Sequence, residues 1–186
     1  MSRVVVVTGG TKGIGKAVAE RFSTEDVVAP SHDELDVTNE EQVAAFFEGL
    51  GQVDVLVNNA GIGAGAPLAR TTLDDWRAHL EVNATGAFLC TRAVVGGMIE
   101  RGDGRIVTVA SIAGLAGMRY TAAYAASKHA AVGLMRATAA EVGGPASPRT
   151  LSAPRGCGPT SRGARWRTSS RGPAGLRRKQ KPSWSR

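Results

Sequence analysis

At 186 residues, with 42% hydrophobic and 21% charged residues, the chain can hold one domain with a real core and reads as an ordinary globular protein. The net charge of +7 misleads, because all 16 acids but only 12 of the 23 bases precede Pro145, leaving 11 bases and no acid in the last 42 residues. With no basic start leading into an apolar signal core, no apolar run near the roughly 18 residues that span a bilayer, and only two cysteines, export, membrane insertion and a disulfide scaffold are not expected; a reducing cytoplasm is.

The opening run Val4-Val5-Val6-Val7 is β-branched and continuously apolar, as expected of a central strand covered on both faces of a parallel sheet. A glycine-rich turn follows, and Ile14, Val18 and Phe22 then recur at i, i+4, i+8 on one helical face. Val27 to Ala29 reads as a second strand and Leu35 to Val37 as a third, with no helix between them. Thr38-Asn39-Glu40-Glu41 has the form of a capping box and precedes Val43, Phe46, Phe47 and Leu50 at helical spacing.

Val53 to Asn58 is the next buried strand. Thr72-Leu73-Asp74-Asp75 places acids in the first turn of one long helix running past Asn83 toward Ile99. Arg105 to Ala110 is a further strand, and a last helix starts near Tyr120 and runs until Gly143-Gly144 stops it. Strands alternating with helices over short connections imply an α/β fold: a doubly wound parallel sheet in a three-layer αβα, Rossmann-type arrangement over residues 1–144.

Residues 145–186 break this rhythm with six of the eight prolines, seven serines and no apolar run longer than two, and are expected to be a disordered basic tail. Clustered bases raise nucleic acid as a partner, but the arginines lack an amphipathic or aromatic pattern beyond Trp166 and Trp184, so that reading is disfavoured. Neither Cys90 nor Cys157 neighbours a second thiol or a histidine at ligand spacing, so no metal site is expected.

The turn Thr8 to Gly15, with Gly9, Thr11, Lys12, Gly13, Ile14 and Gly15, lies between a strand and a helix, the context a dinucleotide site requires. Its glycines let the backbone approach a pyrophosphate, whose charge the free N–H groups of the helix start would stabilise. A carboxylate at the end of the second strand would favour a free ribose 2′-hydroxyl, a cation a 2′-phosphate. Ala29-Pro30-Ser31 offers no acid, while Lys12, Ser31 and His32 offer donors, so NADP(H) is expected; Asp33 and Glu34 follow closely and keep NAD(H) open.

Asn58-Asn59-Ala60-Gly61 and Ser111 each end a strand at the carboxyl edge, where open α/β sheets bind ligands. Tyr124 and Lys128 are four residues apart, so on a helix an ammonium lies one turn from a phenol. A phenol titrates near pH 10, and acid–base work around neutrality needs that value brought down; a neighbouring Lys⁺ and the positive nicotinamide ring both act in that direction.

Taken together and in this order, Thr8 to Gly15, Asp36-Val37, Asn58 to Gly61, Val82-Asn83, Ser111, Tyr124 and Lys128 resemble the motifs of the short-chain dehydrogenase/reductase family, in its subgroup of about 250 residues. The resemblance implies that Tyr124 donates a proton to a carbonyl oxygen and that Lys128 holds the nicotinamide ribose and lowers the tyrosine's pKa. Ser111 would hydrogen-bond the substrate oxygen and Asn83 hold a relay water. Asp36 and Val37 would meet the adenine, and Asn58, Ala60 and Gly61 would line the cofactor. Gly104 to Ser111 is similar to the corresponding strand of bacterial 3-oxoacyl-carrier-protein reductases, which implies a small or carrier-bound ketone as substrate; sugar or diol dehydrogenation is the alternative. Intact relatives are expected to be homo-oligomers.

The family continues after the tyrosine helix with a sixth strand, a Pro-Gly turn, a covering helix and a seventh strand, none of which is expected here after Gly144. That leaves the strand Arg105 to Ala110 as an exposed edge. Back-translation of Pro145 to Pro154 read two bases later permits Gly-Ile-Thr-Ala-Asn-Ala-Val-Cys-Pro, so the tail is expected to be a frameshifted reading, and a catalytically silent chain is the competing expectation for function.

Overall fold

The computed structural model describes residues 2–142 with their side chains and the backbone of 149–153. Five parallel strands form one sheet: β1 (Val4–Val7), β2 (Asp26–Val28), β3 (Val55–Asn58), β4 (Arg105–Val109) and β5 (Arg149–Ala153), in the order β2-β1-β3-β4-β5. Between them run α1 (Gly13–Arg21), α2 (Glu40–Leu50), α3 (Leu73–Leu80), α4 (Gly86–Arg101) and α5 (Ala122–Glu141). The chain winds outward from β1 to β2, then returns to β3 on the opposite side of β1. The carboxyl ends of β1 and β3 therefore flank the switch point at which such sheets open a crevice.

Alternation along the strands divides the core. Val6, Leu56 and Ile106 face α2 and α4 in a cluster with Val43, Phe47, Leu89, Cys90, Val94 and Met98. Val5, Val7, Val55 and Val57 point the other way, against Val18, Ala19 and Phe22 of α1. Burial on both faces is why these strands are apolar throughout.

Four expectations are corrected. Leu35 to Val37 is not a strand: Leu35 donates its N–H to Ser31 O at 3.0 Å, and both apolar residues are buried by packing against the α2 and α4 side of the sheet rather than by pairing. Thr38 does not cap α2, because its N–H and hydroxyl both go to Asp36 Oδ1, at 2.9 and 2.8 Å; Asn39 caps instead, accepting from Gln42 N at 2.9 Å. The long helix from Thr72 is interrupted by a π turn at Glu81–Thr85, although its start is the expected one, a capping box between Thr72 and Asp75. Finally, a strand does follow Gly144: β5 pairs with β4 from Arg105↔Arg149 to Val109↔Ala153, so β4 is not an edge. An open row of main-chain donors and acceptors pairs with any extended segment, whatever its side chains.

Leu73–Arg101 is, by length and composition, a stretch that could cross a membrane, against the expectation that no run qualifies. In this fold Leu89, Cys90, Val94 and Met98 bury one face of it on the sheet. The expected disorder of the tail concerns residues that, apart from 149–153, lie outside the described ones, as does Cys157.

Candidate active site

The turn after β1 is built by Thr8, which is 1% exposed. Its hydroxyl accepts from Asn59 N at 3.1 Å and Ala60 N at 3.0 Å, and Asn59 Nδ2 donates to Thr8 O and Gly9 O, both at 3.0 Å. The segments following β1 and β3 are thereby fastened to each other. Close approach explains the glycines: a Cβ on Gly15 would lie 2.4 Å from Asn59 Nδ2 and 2.5 Å from Gly9 O. Gly9 and Gly13 also have φ of 61° and 56°, the left-handed region that favours glycine. No side chain caps the start of α1, whose N-cap is Lys12, so its first N–H groups remain available to an anion. Thr11, Lys12 and Ile14 are exposed around it, and Lys12 forms no ion pair among the described residues.

β2 ends at Val28, one residue earlier than expected, and Ala29 lies beneath Gly10, where a Cβ would come within 2.7 Å of it. Ser31 sits at this corner with its N–H donated to Glu34 Oε2 at 2.7 Å, so an acid does reach the end of the second strand. Asp36 is held below the usual carboxylate range by the N–H and then the hydroxyl of Thr38. Val37 is buried beneath Gly86, where a Cβ would lie 2.6 Å from Val37 Cγ2. Asn58 turns its side chain toward α4, donating to Thr91 Oγ1 at 2.9 Å, and leaves Oδ1 buried without a partner. Among the described residues no group of His, Cys, Asp or Glu could hold a metal.

The second half of the site gathers on α5. Lys128 is 7% exposed, donates from Nζ to Val109 O at 3.0 Å at the end of β4, and lies 6.0 Å from the ring centre of Tyr124. Burial pushes the Lys128 ammonium down from its ordinary range. Asn83 sits in the π turn, a helix irregularity that often marks functional positions. Asn83 Oδ1 accepts from Ile62 N at 2.8 Å, and Nδ2 donates to Ile62 O and Ser127 Oγ, both at 2.9 Å. Gly61 lies between these groups: a Cβ there would be 2.8 Å from Asn83 Oδ1 and 3.5 Å from Lys128 Nζ. Ser111 caps the 3₁₀ turn Ile112–Gly114, its Oγ accepting from Ala113 N at 3.2 Å. Gly114 of that turn packs on the α5 backbone, its Cβ position 2.8 Å from Lys128 O.

Of the residues expected at the site, Asn83 and Lys128 meet beside Gly61, Tyr124 stands beside Gly63, and the turn that Ser111 caps packs on the helix carrying Lys128. Asn58 and Val37 turn their side chains into the protein instead. The sequence-based reading missed Asn59, His79 and Ser127. Ser127 immediately precedes Lys128, and His79 lies one turn before Asn83; helical spacing was the only signal for either.

A switch-point crevice, a glycine cradle at a helix start and a buried lysine beside a tyrosine define a dinucleotide-binding α/β protein. The sequence profile of the short chain dehydrogenases matches residues 27–145, and the chain belongs to that family. It is 38% identical over 170 residues to a Streptomyces coelicolor protein assigned as a ketoacyl reductase, covering 76% of this chain and 65% of that one. It is 37% identical to the 2,5-dichloro-2,5-cyclohexadiene-1,4-diol dehydrogenase of Sphingobium indicum, covering 76% and 67%. It is also 34% identical to the 3-oxoacyl-acyl-carrier-protein reductase FabG of Vibrio cholerae, covering 75% and 67%. A crystallised short-chain dehydrogenase from Streptomyces avermitilis superposes with a TM-score of 0.78 at 30% identity, over 82% of this chain and 65% of that one. ElxO with NADP bound gives 0.70 at 32% identity, over 76% and 68%. The chain spans about two thirds of the length of these relatives. The glycines of the cradle, its open helix start and exposed Lys12 suit a pyrophosphate.

Proposed function

We propose that this chain is an NADP(H)-dependent oxidoreductase that reduces a ketone, a 3-oxoacyl thioester on coenzyme A or a carrier protein, to the alcohol. The observation that carries the reading is that Lys128 and Asn83 meet at Gly61 while the Tyr124 ring stands beside Gly63, 6.0 Å from Lys128 Nζ. NADPH held in the glycine cradle would supply the hydride that the carbonyl carbon receives. Tyr124 then donates its phenolic proton to the carbonyl oxygen, and the Lys128 ammonium, fixed by Val109 O, stabilises the phenolate left behind. The Ser111 hydroxyl holds the carbonyl oxygen in place, and Asn83 holds a water that returns a proton to the tyrosine. Exposed Lys12, in no ion pair among the described residues, supports NADP(H) through attraction to a phosphate, while the Glu34 carboxylate beside Ser31 is the feature that opposes it. A buried free thiol at Cys90 fits a cytoplasmic location.

The test is oxidation of NADPH by acetoacetyl-CoA, followed at the nicotinamide absorbance band, with Tyr124→Phe as the control. Turnover that the variant abolishes is the expected result. Turnover with a cyclic diol and NAD⁺ instead would favour the diol dehydrogenase reading, and cofactor binding without any turnover a silent chain.

We further propose that residues from Pro145 onward derive from a shifted reading frame. The support is positional: the segment whose alternative reading gives the family's sixth strand is the one in which β5 pairs with β4. The nucleotide sequence decides this, and stop codons in the alternative frame would refute it.

A further inference from the structure

The segment Gly61-Ile62-Gly63-Ala64-Gly65-Ala66 alternates glycine with a larger residue, and the structure treats the two sets differently. Every larger residue is pinned through its N–H: Ile62 to Asn83 Oδ1 at 2.8 Å, Ala64 to His79 Nε2 at 3.1 Å, and Ala66 to Tyr120 O at 2.8 Å. Two of the glycines, Gly61 and Gly65, lie where a Cβ would clash, and Gly63 faces the Tyr124 ring at contact distance. A Cβ on Gly61 would come within 2.8 Å of Asn83 Oδ1, on Gly63 within 3.4 Å of Tyr124 Cε2, and on Gly65 within 2.9 Å of Tyr120 O. A strip with three glycines has little order of its own, and its conformational entropy must be offset by such pins.

His79 supplies the middle pin and is itself fully engaged. It is 4% exposed, its Nδ1 lies 2.7 Å from Asp75 O one turn back on α3, and its ring stands edge-on to Tyr124 at 6.4 Å between centres. Because Ala64 N–H can only donate, Nε2 must accept, which fixes the neutral ring with its proton on Nδ1.

We propose that His79 is a positioning residue: in its Nδ1–H form it latches the Gly61–Ala66 strip to α3, so that the strip walls the face of Tyr124 presented to substrate. The inference rests on Tyr124 being the proton donor, but its test does not depend on turnover. Long-range ¹H–¹⁵N spectra of the full chain are expected to show the His79 ring as the Nδ1–H tautomer. His79→Val removes the acceptor, and exchange of the Ala64 amide should accelerate by about tenfold or more. His79→Gln, which can still present an oxygen to Ala64 N–H, should hold exchange near the wild-type rate.

With NADPH and acetoacetyl-CoA, kcat should fall about tenfold in His79→Val and recover in His79→Gln, with NADPH affinity by fluorescence unchanged in both. An Nε2–H tautomer, or Ala64 exchange that His79→Val leaves unaltered, overturns the proposal. If His79→Val does not fold, the wild-type tautomer and the His79→Gln exchange rate decide. Absence of turnover in the wild type would count against the reductase reading while the tautomer and exchange results still judge the latch.

Discussion

Replacing Asn83 by aspartate changes one atom, yet the structure makes it a severe substitution whose cost depends on pH. Asn83 is 2% exposed, and its Nδ2 donates to two acceptors, Ile62 O and Ser127 Oγ, both at 2.9 Å. A carboxylate oxygen in that place has no proton to give and would face the Ile62 carbonyl lone pairs, while Ser127 Oγ already spends its own proton on Tyr124 O at 2.8 Å. Burial and this acceptor-rich site raise the folded-state pKa of the new carboxyl above its unfolded value of about 3.9.

The folded protein then binds the extra proton more tightly than the unfolded chain does, so stability is lost as pH rises. Between the two pKa values the slope is about −1.4 kcal/mol per pH unit. Asn83→Ala provides the reference, since it deletes the same hydrogen bonds without adding charge and should cost about 1–3 kcal/mol. Urea unfolding of both variants from about pH 4 to pH 8 should show Asn83→Asp falling below Asn83→Ala as pH rises from the unfolded pKa to the folded one. A difference between the two that stays constant across that range would refute the account of Asn83 as a buried double donor.

Gly15→Ala should cost about 1–3 kcal/mol and most of the NADPH affinity, because its Cβ meets backbone at Gly9 O that cannot swing away; thermal unfolding and fluorescence titration measure both. The contrasting change is Gly49→Ala in α2, with nothing within 4 Å of its Cβ, which should stabilise by about 0.5–1 kcal/mol. Asp36, held below the ordinary carboxylate range by Thr38, contributes stability that is present above its unfolded pKa of about 3.9 and lost as pH falls through its folded value. The stability gap between wild type and Asp36→Ala should therefore narrow on acid titration below about pH 4. Burial pushes the Cys90 thiol up to about 12, so in a Cys157→Ser background no thiol should react with a disulfide reagent at pH 8 until the protein is denatured.

What the sequence by itself determined is what depends on residues near one another along the chain. Four consecutive valines make a buried strand wherever helices cover both faces, a glycine turn opens a helix, and Tyr124 and Lys128 meet because an α-helix repeats at that spacing. Only the tertiary structure decided features whose partners are distant. Leu35 and Val37 carry the same apolar signal whether they pair in a sheet or pack under α2 and α4, and the packing arrangement settled it. Asn59 acquired its place by reaching back 50 residues to Gly9 O, and His79 by meeting Ala64, 15 positions earlier in the chain. β5 pairs with β4 through main-chain groups that every residue carries, so no side-chain pattern announces it. Local periodicity is written in the order of residues, whereas hydrogen bonds between remote groups exist only once the chain has closed the loops between them.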